Sequence, residues 1–161
     1  MAIGVYAGSF DPFTIGHLSI IKTASNIFEK VYVVIAVNKE KKRHYPVKEM
    51  KSAIIATLQE EQITNVEVYE YDALVADFCD EHGAEFLIRG LRNNIDYNYE
   101  ENIANNNKLV NPSLETIYFR GCSNAISSSM VRELHSFGKD VSIYVPDAVY
   151  KIIESIWFLT N

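Results

Sequence analysis

The chain has 161 residues, of which 48% are hydrophobic and 12% aromatic, enough for one buried core and too few for two ordinary domains. That composition argues against intrinsic disorder. Acidic residues outnumber basic ones, 21 to 15, for a formal net charge of -6, which makes the chain a poor candidate for a general nucleic-acid or anionic-membrane binder and requires any anionic ligand to be held by a local basic patch.

Apolar runs alternate with helical patterns along the chain. Ile3 to Ala7 reads as a short buried strand ended by Gly8. Leu18, Ile21, Ala24 and Phe28 recur at helical spacing. Val31 to Val37 is a β-branched run without polar alternation, the mark of a central strand covered on both faces. Met50, Ile54, Ile55 and Leu58 give a second helical face, and Val66 to Tyr69 a strand with one wetter side. Leu74, Val75, Phe78 and Cys79 fit a helix that Gly83 ends. Phe86, Leu87 and Ile88 form a buried strand. Ile95, Tyr99 and Ile103 predict a helix on which the Asn-rich run from Asn102 to Asn107 sits awkwardly. Thr116 to Phe119 is a fifth strand. Met130, Val131, Leu134 and Phe137 form a helix N-capped by Ser127. Pro146 opens a last helix with Val149, Ile152, Ile153, Ile156 and Trp157 on one face.

Strands separated by helices predict an α/β fold, an open parallel five-stranded sheet with helices on both faces, in one domain over residues 1–161. No linker or repeat divides the chain. No apolar run approaches the roughly 20 residues that span a bilayer. The N-terminus lacks a basic region and cleavage site, and Cys79 and Cys122 have no metal-like spacing. A soluble cytoplasmic protein with reduced, inert thiols is expected. Ligands of such sheets bind beyond the carboxyl ends of the strands where strand order reverses, which directs attention to the loops after the first, fourth and fifth strands.

The first loop runs from Gly8 to His17. It matches neither the dinucleotide fingerprint nor a P-loop. His17 falls in the first turn of a helix, where free N–H groups favour phosphate and an imidazole can donate to it; capping or core packing is the competing reading. Arg89 and Arg92 follow a buried strand, and guanidinium forks suit phosphate bidentately. The alternative is a pair of ion pairs to Asp96 or Glu100. Ser127, Ser128 and Ser129 offer three hydroxyls at a helix N-terminus, where capping explains only the first. Lys39, Lys41, Lys42 and Arg43 form a basic cluster, mostly a solvated loop, of which one member is expected to reach the site.

Thr14-Ile15-Gly16-His17 resembles the T/H-x-G-H motif of the nucleotidyltransferase superfamily, and Gly8-Ser9-Phe10-Asp11-Pro12 resembles the opening of one branch, the bacterial phosphopantetheine adenylyltransferases. Arg89-Gly90-Leu91-Arg92 and Ile126-Ser127-Ser128-Ser129 resemble two further motifs of that branch, in the same order. The resemblance implies a Rossmann-like domain that transfers AMP from ATP to 4′-phosphopantetheine, giving dephospho-CoA and pyrophosphate. It implies catalytic roles for His17, Lys41 and Arg92. ATP would be met by Ser9, Phe10, His17, Gly90, Leu91, Arg92, Glu100 and the stretch Ser123, Asn124, Ala125, Ile126, Ser127, Ser128, Ser129. Phosphopantetheine would be met by Ser9, Lys41, Leu74, Val75 and Arg89. From the residues alone, Glu100 reads as an exposed helix acid and Leu74 and Val75 as helix core. Mg²⁺ is expected to arrive with ATP, because no carboxylate cluster can cage it. A homohexamer and CoA as feedback ligand are also implied.

Ser9 and Ala7 stand where the family commonly has Thr and Pro, and Arg120 to Ala125 lacks its usual aromatic. The rivals are a nucleotidyltransferase acting on glycerol phosphate or nicotinamide mononucleotide, and a non-catalytic ATP- or CoA-binding regulator. His44, His82 and His135 read as surface or packing residues.

Overall fold

The computed structural model describes residues 1–160. Five strands, β1 (Ile3–Gly8), β2 (Lys30–Ala36), β3 (Val66–Tyr71), β4 (Phe86–Leu91) and β5 (Glu115–Arg120), form one sheet in the order β3-β2-β1-β4-β5. Every neighbouring pair is parallel. The chain builds outward from β1 to β3, then returns to lay β4 on the other side of β1. The reversal therefore opens a crevice at the carboxyl ends of β1 and β4.

Among the described residues four α-helices connect the strands, α1 (Ile15–Ile27), α2 (Val47–Glu60), α3 (Val75–Glu81) and α4 (Asn94–Val110), and two follow β5, α5 (Ser128–Ser136) and α6 (Asp147–Thr160). Period-two alternation in the strands divides the core. Val31, Val33 and Ile35 of β2 point to one face, where Ile21, Met50, Ile54, Val131 and Ile153 bring α1, α2, α5 and α6 together. Val5, Ala7 and Val34 point to the other face, against Phe78 and Cys79 of α3. Both faces of β2 are thus covered, as its unbroken apolar run requires. Burial pushes the Cys79 thiol up to about 12, so this thiol stays protonated.

Local signals set most boundaries. Ser127 caps α5 by accepting from the Met130 N–H at 3.1 Å. Gly83, at φ +62, ends α3 in a left-handed turn closed by Ala84 N–H to the Cys79 carbonyl at 2.8 Å. The Pro146 carbonyl accepts from Val149 and Tyr150 and starts α6.

Four expectations about helix faces are corrected. Leu74 is the N-cap of α3, not part of its core, and is 58% exposed. Ile55 turns away from the α2 face that packs on the sheet. Phe137 lies past the end of α5 and is exposed. On α4, Ile95 and Tyr99 face outward, the Asn-rich run is fully helical, and the one buried side chain is Glu100. Helical spacing shows that apolar residues share a face; it does not show whether this domain covers that face.

Candidate active site

The carboxyl ends of β1 and β4 and the N-termini of α1 and α5 enclose a cavity of about 390 Å³. Of the residues expected there, Ser9, Phe10, His17, Arg89, Gly90, Leu91, Arg92, Glu100, Ser123, Ile126 and Ser127 to Ser129 line it. Lys41, Leu74, Val75, Asn124 and Ala125 do not. Lys41 closes an exposed turn through its N–H to the Asn38 carbonyl at 3.1 Å and is exposed together with Lys39 and Lys42. Asn124 and Ala125 are exposed at the crest of the loop before α5. Leu74 and Val75 sit at the start of α3, beyond β3 at the far edge of the sheet.

His17 is held by a reciprocal cap. It is the third residue of α1: its N–H donates to Thr14 Oγ1 at 3.3 Å, and the Thr14 N–H donates back to His17 Nδ1 at 3.0 Å. An imidazole nitrogen that accepts from a backbone N–H carries no proton, so the neutral ring bears its proton on Nε2. Burial, helped by the Arg92 charge, lowers the imidazole from its ordinary 6.5 to about 4. The Thr14 N–H reinforces this, since a proton on Nδ1 would face another donor. Near neutral pH the ring is an uncharged donor through Nε2.

Arg89, expected after the strand, lies within β4, and Arg92 follows it directly; both line the cavity, and both are already paired. Arg89 forms a fork on Glu100, Nε to Oε2 at 2.6 Å and Nη2 to Oε1 at 2.7 Å, while its Nη1 donates to the Ala7 carbonyl at 2.8 Å. This pairing corrects the reading of Glu100 as an exposed acid: the side chain is buried because Arg89 compensates its charge. Arg92 makes a looser pair with Asp96 one turn on, at 2.9 Å. The ion-pair reading and the cavity-lining reading therefore hold together. Each guanidinium keeps N–H groups beyond those its carboxylate accepts.

The serine hydroxyls at α5 are partly committed as well. Ser127 and Ser129 share a hydrogen bond at 3.1 Å, and Ser128 donates to the Pro12 carbonyl at 2.7 Å. Arg132, one turn further, lines the cavity and donates to the Asp11 carbonyl at 2.6 Å. Sequence reasoning missed Arg132, although it lies three and four residues beyond Ser129 and Ser128 and so shares their face.

From the basic cluster it is Arg43, not Lys41, that turns inward. Its guanidinium donates to the carbonyls of Ser9 at 2.7 Å, Phe10 at 3.4 Å and Tyr45 at 3.2 Å. In return the Asp11 carboxylate accepts from the N–H groups of His44 and Tyr45, each at 2.9 Å. His44, expected to lack a partner, also meets Asp11 through Nδ1 at 3.3 Å. This two-way strap holds Phe10 at φ 45, a left-handed conformation costing a non-glycine residue about 1–2 kcal/mol. Arg43→Ala is expected to lower stability by about 2 kcal/mol, read from urea denaturation, with Arg43→Lys recovering only part because an ammonium cannot fork across two carbonyls. Equal stability of Arg43→Ala and wild type would contradict the strap.

His82 stacks on Phe78 at 3.9 Å, and His135 packs edge-on against Trp157 while approaching Glu154 at 3.5 Å, so both are packing residues. Cys122 is exposed beside the cavity-lining Gly121 and Ser123.

Comparison with known proteins agrees with this geometry. The sequence profile of the cytidylyltransferase-like family matches residues 5–134. Phosphopantetheine adenylyltransferases of Staphylococcus carnosus and Clostridium tetani are 38% and 40% identical, over 93% and 100% of this chain and 93% and 99% of their own. That of Streptococcus pneumoniae is 42% identical over 95% of each chain. A crystal structure from Vibrio parahaemolyticus, assigned as a nicotinate-nucleotide adenylyltransferase, superposes with a TM-score of 0.71 over 96% of this chain and 93% of that one; at 17% identity it speaks to the fold alone. With a capped imidazole, three guanidinium groups and a serine-rich helix start gathered at the sheet's reversal, and with this similarity end to end, the chain belongs to the phosphopantetheine adenylyltransferase family.

Proposed function

We infer that this chain transfers the adenylyl group of ATP to 4′-phosphopantetheine, giving dephospho-CoA and pyrophosphate in coenzyme A biosynthesis. The observation that carries it is the neutral His17, a fixed donor at the seam of β1 and β4 beside two arginines and the start of α5. A phosphate oxygen of the acceptor attacks the α-phosphorus; one P–O bond forms, the α–β bridging bond breaks, and pyrophosphate leaves with the electron pair. The nucleophile is already an anion, so no general base is needed. The chain's work is to align two anions and to neutralise charge as it shifts.

His17 Nε2 donates to the α-phosphate as negative charge grows there. Arg92, whose Asp96 partner is weakly held, offsets charge on the leaving group. Gly90, Leu91, Ser123, Ile126, Ser127, Ser128 and Ser129 hold the nucleotide; Phe10 packs edge-on to His17 at 4.9 Å and fixes the ring. Ser9 and Arg89 hold the acceptor, and Glu100 orients Arg89. Lys41 reaches the phosphates from its exposed turn once both ligands are bound, and Asn124 and Ala125 close over the nucleotide. Leu74 and Val75 take the apolar pantetheine arm. Mg²⁺ enters as part of the MgATP substrate. The carboxylates lining the cavity, Glu100 and Asp96, are committed to arginines, and the described residues include no group of three or more His, Cys, Asp or Glu placed to hold a metal ion.

On the same reading the chain is a cytoplasmic homohexamer, with CoA competing for the shared site. Ile95 and Leu109, 81% and 82% exposed on α4, support association, and among the described residues no helix is long and apolar enough to cross a membrane. The deciding experiment supplies MgATP and 4′-phosphopantetheine and follows dephospho-CoA by mass and pyrophosphate by a coupled assay. ATP binding without pyrophosphate release would favour a regulator. Release with nicotinamide mononucleotide or glycerol phosphate but not phosphopantetheine would favour another acceptor.

A further inference from the structure

Tyr6 occupies the middle of β1, paired in register with Val33 of β2 and Ile88 of β4, where a β-branched or aliphatic residue would serve the core equally well. Its ring does serve the core: it is 4% exposed and packs edge-on to Phe10 at 5.3 Å. Its hydroxyl does not. No described residue makes a hydrogen bond to it, the oxygen is not sealed inside protein, and Tyr6 is among the residues that line the cavity. A phenol placed in a strand this well buried usually finds a protein partner. Here the partner has to come from the cavity.

The neighbours of the oxygen indicate which end of the cavity it serves. A methyl group added at Gly90 would come within 4.0 Å of Tyr6 Oη. That side of Gly90 is already covered by Ile20, whose Cδ1 would stand 2.7 Å from such a methyl group, so the hydroxyl lies beside Gly90 on the sheet face that α1 packs. Burial holds the phenol well above its ordinary value, so it keeps its proton and acts as a donor. Of the residues assigned to the acceptor, Ser9 and Lys41 lie on the loops after β1 and β2 and Arg89 turns its guanidinium to Glu100 and the Ala7 carbonyl, whereas Gly90, the neighbour of the hydroxyl, is assigned to the nucleotide.

We propose that Tyr6 is a nucleotide-contacting residue: its phenol donates a hydrogen bond to an oxygen of the bound nucleoside triphosphate where it passes beside Gly90. The proposal deepens the adenylyl-transfer reading and rests on it. It assigns to the site a neutral donor, complementing the charged groups.

Tyr6→Phe removes only the oxygen and keeps the ring packing. MgATP binding is measured by calorimetry without acceptor, and steady-state kinetics are measured with each substrate varied. Loss of one neutral hydrogen bond predicts a roughly 3- to 10-fold weaker Kd and higher KM for ATP. The KM for 4′-phosphopantetheine should stay within twofold. The melting temperature should not fall, because no protein group loses a partner. Unchanged ATP affinity, a loss confined to the acceptor KM, or unchanged affinity with a lower melting temperature would each overturn the assignment. A wild-type protein that released no pyrophosphate would defeat the adenylyl-transfer reading instead, and the calorimetric comparison would still decide the role of Tyr6.

Discussion

His17→Ala is expected to lower kcat by roughly 10²- to 10³-fold, the usual loss when one donor to a developing charge is removed. KM for either substrate should change far less, because the imidazole N–H is worth most when the α-phosphate is most negative. The substitution also removes the acceptor of the Thr14 N–H, so circular dichroism and a melting curve must accompany the kinetics. A loss within tenfold, with the fold intact, would remove His17 from catalysis. The same ring gives a spectroscopic check. Its half-titration in ¹⁵N-detected NMR should fall near pH 4, against 6.5 in the unfolded chain. The unfolded chain then takes up this proton first, so stability falls as pH drops from about 6.5 toward 4 and rises again with pH over the same window. A half-titration near 6.5, or an Nδ1 shift showing a proton there, would contradict the cap geometry.

Arg89→Ala should destabilise the fold by about 3–5 kcal/mol, the range for stripping a buried carboxylate of its partner. Glu100 is 8% exposed and has both carboxylate oxygens on the Arg89 fork, so it would be left charged, dry and unpaired. Arg92→Ala is the internal control. Its pair with Asp96 is more exposed and one helical turn apart, and its loss should cost under about 1 kcal/mol. Denaturant midpoints at neutral pH read both. Replacing Arg89 and Glu100 together by Met and Leu should recover much of the loss in stability while abolishing activity. Equal costs for Arg89→Ala and Arg92→Ala would show that burial does not set the strength of the first pair.

The sheet was legible because its strands carry unbroken β-branched or aromatic runs, as in Val31 to Ile35, bounded by glycine or polar turns. The loops of the site were legible through short motifs whose chemistry needs special residues: Gly16 before His17, and serines at a helix start. What failed to show depended on contacts between distant segments. Arg43 meets Ser9 across 34 residues, and no local pattern distinguishes it from Lys41 or Lys42. Glu100 is buried only because Arg89 reaches it from another element. The Tyr6 hydroxyl was invisible for the opposite reason: a tyrosine inside an apolar strand reads as core, and nothing in the sequence says which way its oxygen opens.

The fastening of α5 to the first loop has a mechanical consequence. Ser128 grips the Pro12 carbonyl and Arg132 grips the Asp11 carbonyl, both at under 3 Å. On its far side the same loop is tied by Arg43 and Asp11 to the segment leading into α2. Three stretches of chain are therefore yoked into one plate around the imidazole. A shift of the first loop therefore has to strain or break contacts on both of its sides at once, to α5 and to the segment before α2.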